Sequence, residues 1–437
     1  YVTDAAGNQD FCTTIVNIQA NQGQCNGSPQ VAGTVATASS QKVEGVNVSV
    51  NSPSGFTASQ STNAQGAYNF TVPALQDYTV TPVLDVEPLN GVSTFDLVLI
   101  SKHILGVQGL DSPYKLIAAD ANKSNTVTTF DLVEIRKLIL FINTDFPNNT
   151  SWRFVPKTYS FANPANPFQT QFPEVINLND LTLDKLTNDF VAIKVGDVNG
   201  SAAVNFGASN QDRNYAGDLV LNVEDKEVKA GETYTVEFKA TDFNVSGYQF
   251  TLSFNQEALQ FEQIEAGLAQ EGNFGLTMVN QGHITTSWNA DAAKQLAAGD
   301  VVFGLTFTAK QNGSLSRMLN INSRYTAAEA YNAGNELMNV ALSFNGQLAA
   351  DGFALYQNTP NPVAAETVIG FYLPEATSAT LTISDVQGKV VKVITKQFSK
   401  GYNQETVKRS ELGATGVLYY RLDSGSDSAT RKMILVD

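Results

Sequence analysis

The residues best equipped for chemistry in this chain are oxygen-bearing side chains spaced two apart, ahead of two matching apolar segments. Counting back from Asp96 as position 12 puts Asp85 at 1, Glu87 at 3, Leu89 at 5, Gly91 at 7 and Ser93 at 9. Counting back from Asp131 puts Asp120 at 1, Asn122 at 3, Ser124 at 5, Thr126 at 7 and Thr128 at 9. Oxygens at alternate positions can wrap a hard cation, with a backbone carbonyl at 7 and a closing carboxylate at 12, as in a twelve-position Ca²⁺ loop. The candidate ligands are therefore Asp85, Glu87, Gly91 and Asp96 in one loop, and Asp120, Asn122, Ser124, Thr126 and Asp131 in the other. Both loops depart from an all-acid set. Leu89 offers no side-chain oxygen and follows the stiff Pro88, whereas Ser124 is neutral and Asn125 stands where glycine is usual, so the second loop is the better formed. Ser93-x-x-Asp96 and Thr128-x-x-Asp131 also read as capping boxes that need no metal. Capping accounts for positions 9 to 12, and leaves the oxygens at 1 and 3 to calcium.

Little else invites chemistry. The 437 residues hold 2 His and 2 Cys, too few for a zinc site or a Cys/His catalytic pair. No G-x-S-x-G, H-E-x-x-H or phosphate-binding glycine loop occurs, so the chain reads as no enzyme. His283 and Trp288 fall on one strand, where a packed histidine is the commoner fate than a ligand. Asp197-x-Asn199-x-Ser201 repeats three of the loop spacings, but its position 12 is Ala208, and it reads as a turn. Acids outnumber bases 42 to 27, for a net charge of −15, which repels nucleic acid and suits a calcium-loaded protein. No apolar run of membrane-spanning length appears, and the first residues lack a signal-peptide pattern, so the chain reads as the tail of a longer one.

The oxygens need elements to hold them. VSTFDLVLISKHIL at 92–105 recurs as VTTFDLVEIRKLIL at 127–140, with apolar positions at helical spacing. Each copy predicts a short helix whose natural partner is the other. Elsewhere short alternating runs separated by Gly, Asn, Ser and Pro predict strands. The expected fold class is mainly β: tandem antiparallel β sandwiches with one inserted pair of loop-helix units. Length alone suggests about three domains or more.

Family resemblances sharpen this division. YVTDAAGN and FCTTIVNIQ, in residues 1–25, resemble the closing hairpin of a hyalin-repeat sandwich; Cys12 and Cys25 there are either a disulfide or two free thiols. VAGTVAT, VEGVNVSVN and DYTVTP, in residues 26–83, resemble a carboxypeptidase regulatory-like module. The paired loop-helix units, in residues 84–206 with their Pro- and aromatic-rich extension, resemble a dockerin, which implies Ca²⁺. AGETYTVEFKATDF and AAGDVVFGLTFTAK, in residues 215–346, resemble a cohesin, the partner class of dockerins. Pro360-Asn361-Pro362 and Arg431-Lys432-Met433, in residues 352–437, resemble the C-terminal sorting domain of type IX secretion substrates.

Together these imply a calcium-stabilised structural or adhesive protein, outside the cell or on the outer surface of a Gram-negative bacterium of Bacteroidetes type. Expected partners are like chains or other cohesin- and dockerin-type proteins, and the type IX machinery. Dockerin-like to cohesin-like contacts, or strand donation, would build head-to-tail fibres. The second reading is the accessory, docking region of a polysaccharide-degrading enzyme, with glycans bound by Trp152, Tyr248 or Trp288.

Overall fold

A computed structural model describes residues 28–204 and, with short gaps, 215–436. It also describes the antiparallel strands Val2–Thr3 and Gln9–Asp10 near the start. Cys12 and Cys25 lie outside the described residues. Among the described residues strands hold 45% against 11% in helices, so the fold is mainly β.

Alternation in Gln30–Thr37, Asn47–Asn51 and Tyr78–Val83 buries every second residue and starts a two-sheet sandwich. The sheets are not completed locally. One runs Ala67–Thr71, Gln30–Thr37, Phe190–Lys194, Trp152–Pro156, and the other Thr57–Ser61, Asn47–Asn51, Tyr78–Val83, Ile176–Leu178. Phe190–Lys194 pairs in parallel with Gln30–Thr37 and antiparallel with Trp152–Pro156. The structure thus differs from a sandwich ending near residue 83, because strands from 152–194 complete it. Those strands are short and separated by irregular chain, so their pairing left no periodic trace in the sequence.

The helices are inserted between Tyr78–Val83 and Trp152–Pro156. They are α1 (Thr94–Ile104), α2 (Pro113–Ala119) and α3 (Thr129–Ile139). α2 was not expected from the duplication. Trp152–Pro156 and Phe190–Lys194 are buried at every position because each has two covered faces. Trp152, Phe154 and Phe190 enter the sandwich core. Val155 and Ile193 meet Leu97, Ile100 and Ile135 of the helices.

Residues 218–344 form a second, larger sandwich around its own core, which includes Phe238, Phe250, Phe303 and Phe307. Its first strand, Asp218–Val223, lies parallel to its last, Leu337–Phe344, so the domain closes on itself. The long strands Phe243–Phe254 and His283–Leu296 pair along one face. A third body has sheets of three and four strands over a core of residues such as Phe371, Leu381 and Tyr420.

Candidate functional site

Each long helix begins with a capping box, so the expected capping is present. It does not use the whole carboxylate. Asp131 accepts from the Thr128 backbone through Oδ2 (2.8 Å) and from the Asn122 backbone through Oδ1 (3.2 Å). Asp120 accepts from the backbone N–H groups of Ser124 (2.8 Å) and Asn125 (2.9 Å). Asn122 Oδ1 accepts from the Ser124 backbone, and the Ser124 hydroxyl donates to the Thr126 carbonyl. Asp120, Asn122, Ser124, Thr126 and Asp131 are therefore gathered into one loop. Asp120 and Asp131 are fully buried. Burial pushes both carboxyls up from their ordinary range, and the Asp131 charge adds to the effect on Asp120.

Around Asp96 the same arrangement is assembled from two distant segments. Asp96 Oδ2 accepts from the Ser93 backbone (2.9 Å) and Oδ1 from Val198 (2.8 Å) and Asn199 (3.3 Å). Asp197 accepts from Gly200, Ser201 and Ala202, as Asp120 does from its own loop. Asn199 Oδ1 accepts from the Ser201 backbone, and the Ser201 hydroxyl donates to the Gly91 carbonyl. Asp197, Asn199, Ser201, Gly91 and Asp96 thus hold the places of Asp120, Asn122, Ser124, Thr126 and Asp131. The close approach explains Gly91: with φ of +75°, a Cβ there would sit 2.5 Å from the Ala202 nitrogen.

Asp85 and Glu87, expected at positions 1 and 3, are placed elsewhere. Asp85 accepts from the Ser151 backbone at 2.7 Å, and both side chains are exposed. Leu89 packs with the helical core instead of leaving a gap in a ligand set. The turn at Asp197 was visible in the sequence, but its closing carboxylate lies about a hundred residues upstream, where counting forward does not look.

Burial and then the charge of Asp197 push Asp96 up; burial also raises Asp197, against its backbone donors and Lys194. The Lys194 amine is pushed down to about 8 by burial, and the neighbouring carboxylates, Asp197 first, oppose this. It donates to the Pro88 and Val195 carbonyls. Two carboxylates buried together repel unless one is protonated or a cation joins them. Each cradle offers only oxygen: two carboxylates, an amide, a hydroxyl and a carbonyl. That donor set fits a hard divalent ion and not a soft one. Among the described residues no three His, Cys, Asp or Glu side chains form a metal-binding group, so each set is lightly charged.

The helices also meet the larger sandwich. At the start of α1, the unsatisfied N–H of Thr94 donates to Gln249 (2.7 Å) and its hydroxyl pairs with Ser287 (2.6 Å). Phe95 stacks on Tyr331 with ring centres 4.9 Å apart. Asn289 donates to Ser101 of α1 and accepts from Arg136 of α3. At the other end, the Ile139 and Leu140 carbonyls accept from the hydroxyls of Thr326 (2.7 Å) and Thr285 (2.6 Å). A Cβ on Gly247 would lie 3.0 Å from Thr94 and 3.2 Å from Val98, so the missing side chain lets the helix approach.

The remaining candidates are packing residues. Trp152, Tyr248 and Trp288 are 2%, 0% and 6% exposed and offer no open stacking platform. His283 pairs with the Ser253 hydroxyl at 2.8 Å.

Comparison with known proteins bears on two of the bodies. Residues 219–344 match the family model of the cohesin domain, and residues 359–436 that of the secretion system C-terminal sorting domain. No curated protein matches the chain. Similar solved structures include a type I cohesin-dockerin complex from Clostridium thermocellum, 12% identical, with 31% of this chain and 94% of that chain covered and a TM-score of 0.24. The third cohesin ScaC of Acetivibrio cellulolyticus, solved with the ScaB dockerin, is 22% identical over 29% of this chain and 94% of that chain, with a TM-score of 0.24. The seventh ScaB type I cohesin of Pseudobacteroides cellulosolvens is 16% identical over 30% and 88%, with a TM-score of 0.23. Cohesin and sorting domains are non-catalytic module types, and the sorting domain indicates secretion to the cell surface. Among the described residues no helix is long and apolar enough to cross a membrane. The chain carries a cohesin domain at 219–344 and a C-terminal sorting domain at 359–436, joined to an N-terminal sandwich from which a helical pair reaches the cohesin sheet.

Proposed function

We propose that this chain is a non-catalytic extracellular docking and adhesion protein, delivered by the type IX machinery and stiffened by calcium at the two oxygen cradles. The observation that carries the reading is the seating of α1 and the end of α3 on the cohesin domain through buried hydrogen bonds at both helix ends. A sheet surface that accepts a loop-helix pair is what a docking module needs, and dockerin-type chains are the partner class that the cohesin domain brings to mind.

Asp120, Asn122, Ser124, Thr126 and Asp131 would hold one ion, and Asp197, Asn199, Ser201, Gly91 and Asp96 the other. Bound calcium supplies positive charge where two carboxylates are buried together. The chain's own part is to present the oxygens, hold the start of α1 toward the larger sandwich and, at the first cradle, fasten residues 197–202 beside residue 91. An ion that binds only the folded loops stabilises them by mass action, by about 2.7 kcal/mol at a hundredfold excess over Kd.

Metal analysis and thermal melting in calcium and in excess chelator test this reading. Two bound ions per chain and a melting temperature lowered by chelation are expected; no bound ion and an unchanged melt would overturn the calcium part. Head-to-tail fibres through the same contact would require it to form between chains instead of within one.

A further inference from the structure

The cohesin sheet is met by helices of its own chain. Gln249, Thr285, Ser287, Asn289 and Thr326 all spend hydrogen-bonding groups on α1 or α3. Gly247 and Gly275 show that the surface is shaped for this contact. A Cβ on Gly275 would lie 2.1 Å from the Leu140 carbonyl and one on Gly247 would crowd Thr94 and Val98, so the helices lie nearly on the backbone. No second helical pair can occupy that surface while the first is in place.

We propose that this contact is an autoinhibitory latch: the cohesin sheet is closed in cis by α1 and α3, and the partner it fits when opened is the same helical pair from a second copy. The inference rests on the docking reading above and adds that the folded chain is a closed form. The second copy is the occupant because it repeats both surfaces in full. Its Thr94, Phe95, Ser101 and Arg136 meet the Gln249, Ser287, Tyr331 and Asn289 of its neighbour with the pairings already present within one chain. Within a chain the two surfaces are held at an effective concentration of about millimolar order, so the cis contact prevails over a neighbour at ordinary protein concentrations.

Full-length chains in calcium buffer test the latch by complementation. A helix-side variant, Thr94→Arg with Phe95→Ala, keeps its cohesin sheet intact and uncovers it. A sheet-side variant, Gly247→Val with Ser287→Arg, keeps its helices intact and releases them. Circular dichroism and a cooperative urea transition establish that each is folded; Phe95→Ala and Gly247→Ala alone form a milder pair should either double variant fail. Analytical ultracentrifugation of the mixture is expected to show a 1:1 complex. Each variant alone and the unsubstituted chain should stay monomeric, and the unsubstituted chain should bind either variant more weakly by about a hundredfold or more.

Equal binding of the unsubstituted chain and the helix-side variant to the sheet-side variant would show an open surface and overturn the latch. Absence of any complex between two folded complementary variants would overturn the second copy as occupant. Neither result bears on calcium binding, which the chelation experiment tests separately.

Discussion

Asp96 divides its carboxylate between two tasks, one oxygen capping α1 and the other holding the turn at Val198 and Asn199. The closing acids and the complete second loop were legible because a helix cap and a twelve-position loop are both local patterns. The oxygens at Asp197, Asn199 and Ser201 were legible as a turn with three of the loop spacings, but their partnership with Gly91 and Asp96 was not, because that register is set by the folding of the sandwich around residues 84–196. Asp85 fitted the count but spends an oxygen on the Ser151 backbone, a bond between distant segments that counting along the chain does not reveal. In calcium buffer, Asp197→Ala should abolish one of the two binding steps seen by isothermal titration calorimetry, as Asp120→Ala should abolish the other. Asp85→Ala should retain both, and cost about 1 kcal/mol from its lost bond to Ser151. The opposite pattern would return the first site to the contiguous loop. A second residue-scale prediction concerns His283, held down at about 4 by burial and then by the charge of Arg324. The unfolded chain takes up that proton near pH 6.5 and the folded chain does not, so folding stability is full above that pH and falls toward about pH 4. His283→Gln should flatten this part of the stability profile measured by urea unfolding.

At the scale of elements, α1 and α3 begin with the same five residues, TFDLV, and meet different surroundings. Phe95 stacks on Tyr331, whereas its counterpart Phe130 is 72% exposed. The duplication was legible as a repeat, and the helices follow from it. Which part of each copy meets the sandwich was not, because apart from Tyr331 the receiving surface is made of Gly, Ser, Thr, Asn and Gln, types that signal no site in a sequence. Phe95→Ala should therefore destabilise the chain by about 2 kcal/mol in denaturant titration, and Phe130→Ala by less than about 0.5 kcal/mol. Equal effects would contradict the asymmetric seating. Thr285→Ala removes the partner of a buried helix-end carbonyl and should cost about 1–3 kcal/mol.

Across the whole molecule, the cohesin domain and sorting domain were legible because each is continuous in the chain and alternates strongly. The N-terminal sandwich was only half visible, because its last three strands follow the inserted helices. The helical contact joins that sandwich to the cohesin domain, so the two should unfold together in differential scanning calorimetry. Gly247→Val should split that transition into two, and a split already present in the unsubstituted chain would argue against the coupling.

The parallel pairing of Phe190–Lys194 with Gln30–Thr37 has one more consequence. A chain that emerges from its N-terminus has made the first five strands of that sandwich long before the strand that completes its sheet arrives. Contacts of such high order are slow to form, since a loop of this length must close before any pairing rewards it. Fragments cut anywhere before residue 194 should therefore remain unfinished, and refolding should run at the pace of that late strand.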